Sequence, residues 1–152
     1  MAYYFMNTDW NARYDIVTCD LWFQHRMAFA GDYEGHKWQH ANLFKKLKPG
    51  DILFMYHSKK DNRNHRKKGY VGVGEVYEVW DGRSYENNNR ILYRKELYEY
   101  RIGVDWFIDW RESPKEHSRI GIPITPATWG RIDEKKYPVQ SLVGKILSKN
   151  QA

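Results

Sequence analysis

Cysteine is almost missing: Cys19 stands alone in 152 residues. A single thiol excludes an internal disulfide framework and a cysteine-built zinc cluster, and it reads as a small buried residue. Long apolar runs are missing too. None nears the roughly 20 residues needed to span a bilayer. The opening "MAYYFMNTDW" lacks the basic-then-apolar layout of a signal peptide. We therefore expect a cytoplasmic chain with no membrane partner. The hydrolytic and nucleotide motifs are absent: there is no G-x-S-x-G, no Walker A, no H-E-x-x-H and no dinucleotide fingerprint. "GVGEV" (72–76) has no following helix of the kind a phosphate loop needs. His36 and His40 are four apart, but only His40 would fall in a helix, so they make no metal site. No catalytic residue, metal or cofactor is expected.

Acidic residues are also in deficit. Nineteen Asp and Glu face 25 Lys and Arg, a net charge of +6, which suits a polyanionic partner. Seven Trp and twelve Tyr are more than a core of this size needs. Basic surface with surplus aromatics is the composition expected where bases are stacked and phosphates neutralised. The charged share of 29% and apolar share of 41% fit one globular domain over 1–152.

Periodicity and punctuation give the elements. "YYFMN" (3–7) reads as a strand, "TDWNARYD" as a turn or loop, and "CDLWFQHRMAFAG" (19–31) as a helix ended by Gly31. "WQHANLFKKLKPG" (38–50) is a second helix, with lysines in its last turn and Pro-Gly as its stop. "DILFMYHS" (51–58) and "GYVGVGEVYEVW" (69–80) are strands. Gly72 and Gly74 there mark a bulge or a close approach by another backbone or a ligand. Residues 90–110 read as one long strand or two shorter ones, 117–132 as a strand and a turn, and 138–150 as a short amphipathic helix opened by Pro138. Helices do not alternate with strands, which argues against a doubly wound parallel sheet. The expected class is α+β: a small, curved, mostly antiparallel sheet or barrel with covering helices.

"KKDNRNHRKK" (59–68) joins two strands and carries six cations: Lys59, Lys60, Arg63, Arg66, Lys67 and Lys68. A hairpin needs only two to five residues. The excess is either a solvated loop or an arm that grips phosphates, supplying affinity without sequence selectivity. Selectivity would need a pocket. Its candidate parts are Trp22, Phe29 and Trp38 near the helices, Tyr56, His57 and Ser58 at a strand end, and Trp106 and Trp110 near another. Asp105, Asp109 and Glu112 lie near one another, but salt bridging on a basic protein accounts for them.

"YYFMNTD", "LFKKLKPGDILFMYHS" and "GYVGVGEV", in that order over residues 3–76, resemble the EVE domain of the PUA-like superfamily, related to the YTH and ASCH domains. The resemblance implies a PUA-like curved β-barrel with helices packed around it and a pocket for one flipped, modified base of DNA or RNA. It places Asn7 and Thr8 at the end of the first strand, where relatives contact the nucleotide, and Tyr56, His57 and Ser58 beside the pocket. Phe29 or Trp38, and Trp106 or Trp110, are the implied cage walls. The "W-x-G-x-R-N" element of many EVE domains is reduced here to a Trp and an Asn within "GDYEGHKWQHAN". The basic insert after "YHS" is longer than usual, which favours a nucleic-acid strand over a free small molecule. The implied function is a reader of modified nucleic acid without catalysis. The rival readings are an ASCH-like enzyme acting on modified nucleosides and a protein-interaction domain.

Overall fold

The structure is a computed structural model that describes residues 1–8, 10–11, 16–32, 41–57, 68–86, 98–115 and 129–151. Its strands are β1 (Tyr3–Thr8), β2 (Trp10–Asn11), β3 (Ile16–Val17), β4 (Met27–Asp32), β5 (Ile52–His57), β6 (Gly69–Glu78), β7 (Tyr98–Asp109) and β8 (Trp129–Arg131). Its helices are α1 (Thr18–His25), α2 (Ala41–Lys46) and α3 (Val139–Gln151). Six strands form one curled sheet in the order β4-β7-β6-β5-β1-β8. The β1–β5 pair is parallel and the other four pairs are antiparallel, which is the mostly antiparallel arrangement expected. No helix among the described residues is long and apolar enough to cross a membrane.

Both faces of the sheet are covered, and this explains why β5 is buried at every position and apolar or aromatic up to His57. Tyr3 and Phe5 of β1 pack with Phe54, Val73, Ile108 and the α3 residues Val139 and Val143 on one face. Tyr4 and Met6 pack with Leu53, Met55, Val104 and the α1 and α2 residues Trp22 and Phe44 on the other. Successive side chains on a strand point to opposite faces, so each strand feeds two cores.

The "PGD" turn ties the chain start to β5. Gly50 has φ of 94°, a left-handed conformation that glycine adopts without strain. The buried Asp51 carboxylate accepts from the N–H of Ala2 and the N–H of Lys48, each at 2.9 Å. The motif is thus an anchor for β1.

Two expected elements change. The helix expected over 19–31 ends at His25 and is followed by β4. Arg26 takes the left-handed conformation (φ 53°) and its N–H reaches back to the carbonyls of Trp22 and Phe23, closing the helix end. Met27–Asp32 then pairs antiparallel with β7. Sheet pairing outweighs a helical pattern that was locally acceptable. Within "TDWNARYD", expected to be irregular, Trp10–Asn11 pairs with Ile16–Val17 as a two-stranded ribbon.

The bulge expected at Gly72 and Gly74 is present, and it is chiefly side chains that crowd the two glycines. The β6–β7 ladder slips between Val73 and Gly74, and side chains press on both glycines. A Cβ on Gly72 would lie 2.8 Å from the Phe23 ring, and one on Gly74 2.6 Å from the Trp106 ring.

Candidate functional site

The parallel pairing of β1 and β5 brings their C-terminal ends side by side. Asn7 is in register with Tyr56, and Thr8 with His57. His57 in turn pairs with Gly69, the first residue of β6. Two segments that are 49 residues apart in sequence thereby end side by side, and in sequence the basic tract follows directly on the second of them. Thr8 donates its Oγ1 proton to the Tyr56 carbonyl at 3.0 Å, which holds the strand ends together.

The start of α1 closes over this edge. Cys19 Sγ lies 4.0 Å from His57 Nδ1, and both residues are fully buried. Asn7 Oδ1 and His57 Nε2 are buried as well. Arg111, just beyond β7, ties α1 down. Its Nη1 donates to Asp20 at 3.1 Å, its other nitrogens grip the Asp109 carboxylate, and its guanidinium lies 4.3 Å from the Phe23 ring centroid. The hydrogen bond to Asp109, then that to Asp20, raises the Arg111 pKa further above its ordinary value. Asp109 is thus a salt-bridge partner, as is Asp105 toward Arg26 at 3.4 Å.

Among the aromatic candidates, the structure brings three together. Trp22 stacks on Trp106 with centroids 5.9 Å apart, and Phe29 meets Trp22 edge-on at 6.4 Å. The Trp106 Nε1–H is anchored to the Met27 carbonyl at 3.0 Å. Trp22 and Phe29 are buried, and Trp106 is half-buried. Thr8 alternates with Tyr4 and Met6 and so belongs to this face of the sheet, where His57 also meets α1. Asn7 and Tyr56 belong to the opposite face. There Tyr56 packs edge-on against Tyr70 at 5.1 Å, and half-buried Trp110 joins the α3-side core. The candidates therefore form two groups, one on each face, that meet where β1 and β5 end. Lys68 is exposed at the start of β6. Trp38, Ser58, Lys59, Lys60, Arg63, Arg66 and Lys67, like His36 and His40, lie outside the described residues.

Sequence reasoning missed the contribution of Cys19 and Arg111. Both act through partners distant in sequence, 38 and 91 residues away, and leave no local pattern. Among the described residues no group of three His, Cys, Asp or Glu could hold a metal ion.

The described residues of these strand ends offer neutral hydrogen-bonding groups with aromatic rings on either face, and a run of cations follows them in sequence. Such a place can hold a flat, uncharged, heteroatom-bearing group next to an anionic chain. The chain is similar to several solved structures. One is the apo CPSF4-YTH domain of Toxoplasma, at 13% identity over 97% of this chain and 87% of that one, with a TM-score of 0.53. Another is a hypothetical protein from Leishmania major, at 12% identity over 99% and 95%, with a TM-score of 0.52. A third is human THYN1 in complex with 5-methylcytosine-containing DNA, at 13% identity over 100% and 99%, with a TM-score of 0.45. No curated protein matches the chain. The fold is PUA-like. The EVE domain matches residues 22–106, more than half of the sequence, and the chain belongs to the EVE domain family.

Proposed function

We propose that the domain is a reader of nucleic acid that takes one flipped, modified base into the edge formed by β1, β5 and α1, and carries out no chemistry on it. The observation that carries the reading is the in-register meeting of Asn7 and Thr8 with Tyr56 and His57, directly before a tract of six cations. Membership of the EVE family supports it.

The energetics are consistent. Extruding a base costs a few kcal/mol, while stacking on an aromatic ring returns about 1–3 kcal/mol per base. A methyl on the base adds about 0.8 kcal/mol when buried. In this reading Asn7, Thr8 and Ser58 hydrogen-bond the base edge or its phosphate, and His57 completes the polar floor. Two of Phe29, Trp38, Trp106 and Trp110 wall the base, with Trp22 backing Trp106. Lys59, Lys60, Arg63, Arg66, Lys67 and Lys68 contact phosphates. A reader without catalysis is favoured by the neutral side chains of the described residues at these strand ends, Asn7, Thr8, Tyr56 and Cys19. Asp20, the carboxylate nearest to Cys19 in sequence, is engaged by Arg111.

The test is equilibrium binding of short DNA and RNA oligonucleotides, single- and double-stranded, carrying each base plain or methylated. We expect a preference for one modified base that is weakened several-fold in Asn7→Ala and Thr8→Val. Equal affinity for plain and modified strands would defeat the proposal. Appearance of an altered nucleoside during incubation would replace the reader with an enzyme.

A further inference from the structure

We propose that edge strand β8 and the last turn of α2 form a second nucleic-acid contact, a strip that holds the single-stranded segment next to the base in the strand-end site. The proposal deepens the reading above and rests on it.

β8 is the terminal strand of the sheet and pairs only with β1. Trp129 lies opposite Met6, and Arg131 opposite Tyr4, so these two residues share one face of the edge. Trp129 is one strand position from the Asn7 end of β1. Lys46 Nζ sits 5.9 Å from the Trp129 ring centroid. Arg131 and Lys135 line a cavity of about 310 Å³ with Ile132, Asp133 and Glu134. Trp129, Lys46 and Arg131 thus form a strip that starts beside the candidate site and runs down the sheet edge.

The state of these charges separates them from the four paired arginines of the fold. Arg26, Arg83, Arg101 and Arg111 are each held by a carboxylate. Among the described residues Lys45, Lys46, Lys48 and Arg131 form no ion pair, and all four are exposed. Asp133 and Glu134 are the acids nearby in sequence. Asp133 accepts from the Lys135 N–H within its own turn at 3.0 Å. Unneutralised cations beside a half-buried indole suit a chain of alternating phosphates and bases. A phosphate can take the ammonium of Lys46, and a base can stack on the ring that the ammonium now covers.

The experiment measures binding of a thymidine 12-mer, a thymidine trimer, and a 12-mer with one central methylated base, at two salt concentrations. The proteins are the wild type, Lys46→Gln/Arg131→Gln, and a control, Lys145→Gln, in which an exposed α3 lysine is neutralised. The double variant should bind both 12-mers several-fold more weakly, leave trimer binding unchanged, and keep the preference for the methylated base. Its log–log salt slope should fall by about 1.4, at roughly 0.7 per phosphate contact with a single strand. Unchanged 12-mer affinity and slope, or an equal loss in Lys145→Gln, would overturn the strip. Binding of polyglutamate or anionic vesicles, but not of oligonucleotides, by the same residues would overturn it in favour of another partner. A wild-type protein with no base preference, whose 12-mer binding still drops in the double variant, would keep the strip and remove the strand-end reading instead.

Discussion

Trp22 and Trp106 stack with their ring centroids 5.9 Å apart and 19° between their planes. Each covers a face of the other, Phe29 closes on Trp22 edge-on, and Gly74 supports Trp106 from the sheet. Three elements therefore build one aromatic layer, and Trp106 is its half-exposed member. The layer can back a base site, but a base cannot enter between these two rings without moving Trp106 off its bond to Met27.

That layer depends on the missing side chain at position 74. In Gly74→Ala the new Cβ would lie 2.6 Å from both Trp106 Cε3 and Val104 Cγ1. Overpacking of this kind costs about 1–3 kcal/mol. We expect a lower urea midpoint and a change in tryptophan fluorescence of the folded state. A variant with wild-type stability and spectrum would mean that Trp106 does not rest on β6.

Asp51 should be worth more than a surface acid, because it is buried and accepts from two backbone N–H groups. Asp51→Ala should cost about 1.5–3 kcal/mol, the scale of hydrogen bonds to a charged group. Asp51→Asn, which keeps one acceptor oxygen, should recover part of the loss. Chemical denaturation measures the size, and amide exchange at Lys48 should quicken in step with it.

Arg111 joins α1 to the end of β7, but its partners are only partly shielded, with Asp20 and Asp109 side chains 34% and 45% exposed. Solvent screening limits the effect of Arg111→Ala to about 1 kcal/mol. Arg111→Lys should restore less than half, since an ammonium lacks the planar fork and the flat contact with Phe23. Thermal unfolding of the two variants, with and without high salt, checks this. Equal stability of Lys and Arg at this position would show that charge alone matters.

Burial, and then the neighbouring Tyr56, raise the pKa of the Tyr70 phenol above its ordinary 10.0. The folded state therefore holds a proton that the unfolded chain releases first. The resulting stability is fully present below pH 10.0 and is lost as the pH climbs toward the raised folded value. Stability should decline above that point, and Tyr70→Phe should flatten the decline. Parallel alkaline curves for the two proteins would refute the assignment.

The strands were the most legible part of the fold. β1, β5 and the first half of β6 are buried at nearly every position because both faces of the sheet are covered, so burial leaves its mark on apolar and aromatic runs there. The stop of α2 was legible in Pro49 and Gly50 for an equally local reason. The end of α1 was not, because Met27, Ala28 and Phe29 satisfy a helix as well as a strand, and pairing with β7, about 70 residues away, selects the strand. For the site, Asn7, Thr8, Tyr56 and His57 stood out as strand-end motifs, and their parallel register is what joins them. The aromatic candidates divided by face, Trp106 toward α1 and Trp110 toward the α3-side core. The bulge in the β6–β7 ladder falls beside Gly74, where the glycines mark it.

Local chemistry alone determined which segments can be strands, where the turn at Gly50 must fall, and that a run of cations follows the end of β5. Backbone conformation and charge are properties of a few neighbouring residues, so they can be read in order. Only the tertiary structure decided that β1 and β5 run parallel, that Trp22 covers Trp106, that Arg111 holds α1, and that Lys46 lies on Trp129. Those are contacts between residues tens of positions apart, chosen by how two buried faces can be filled at once.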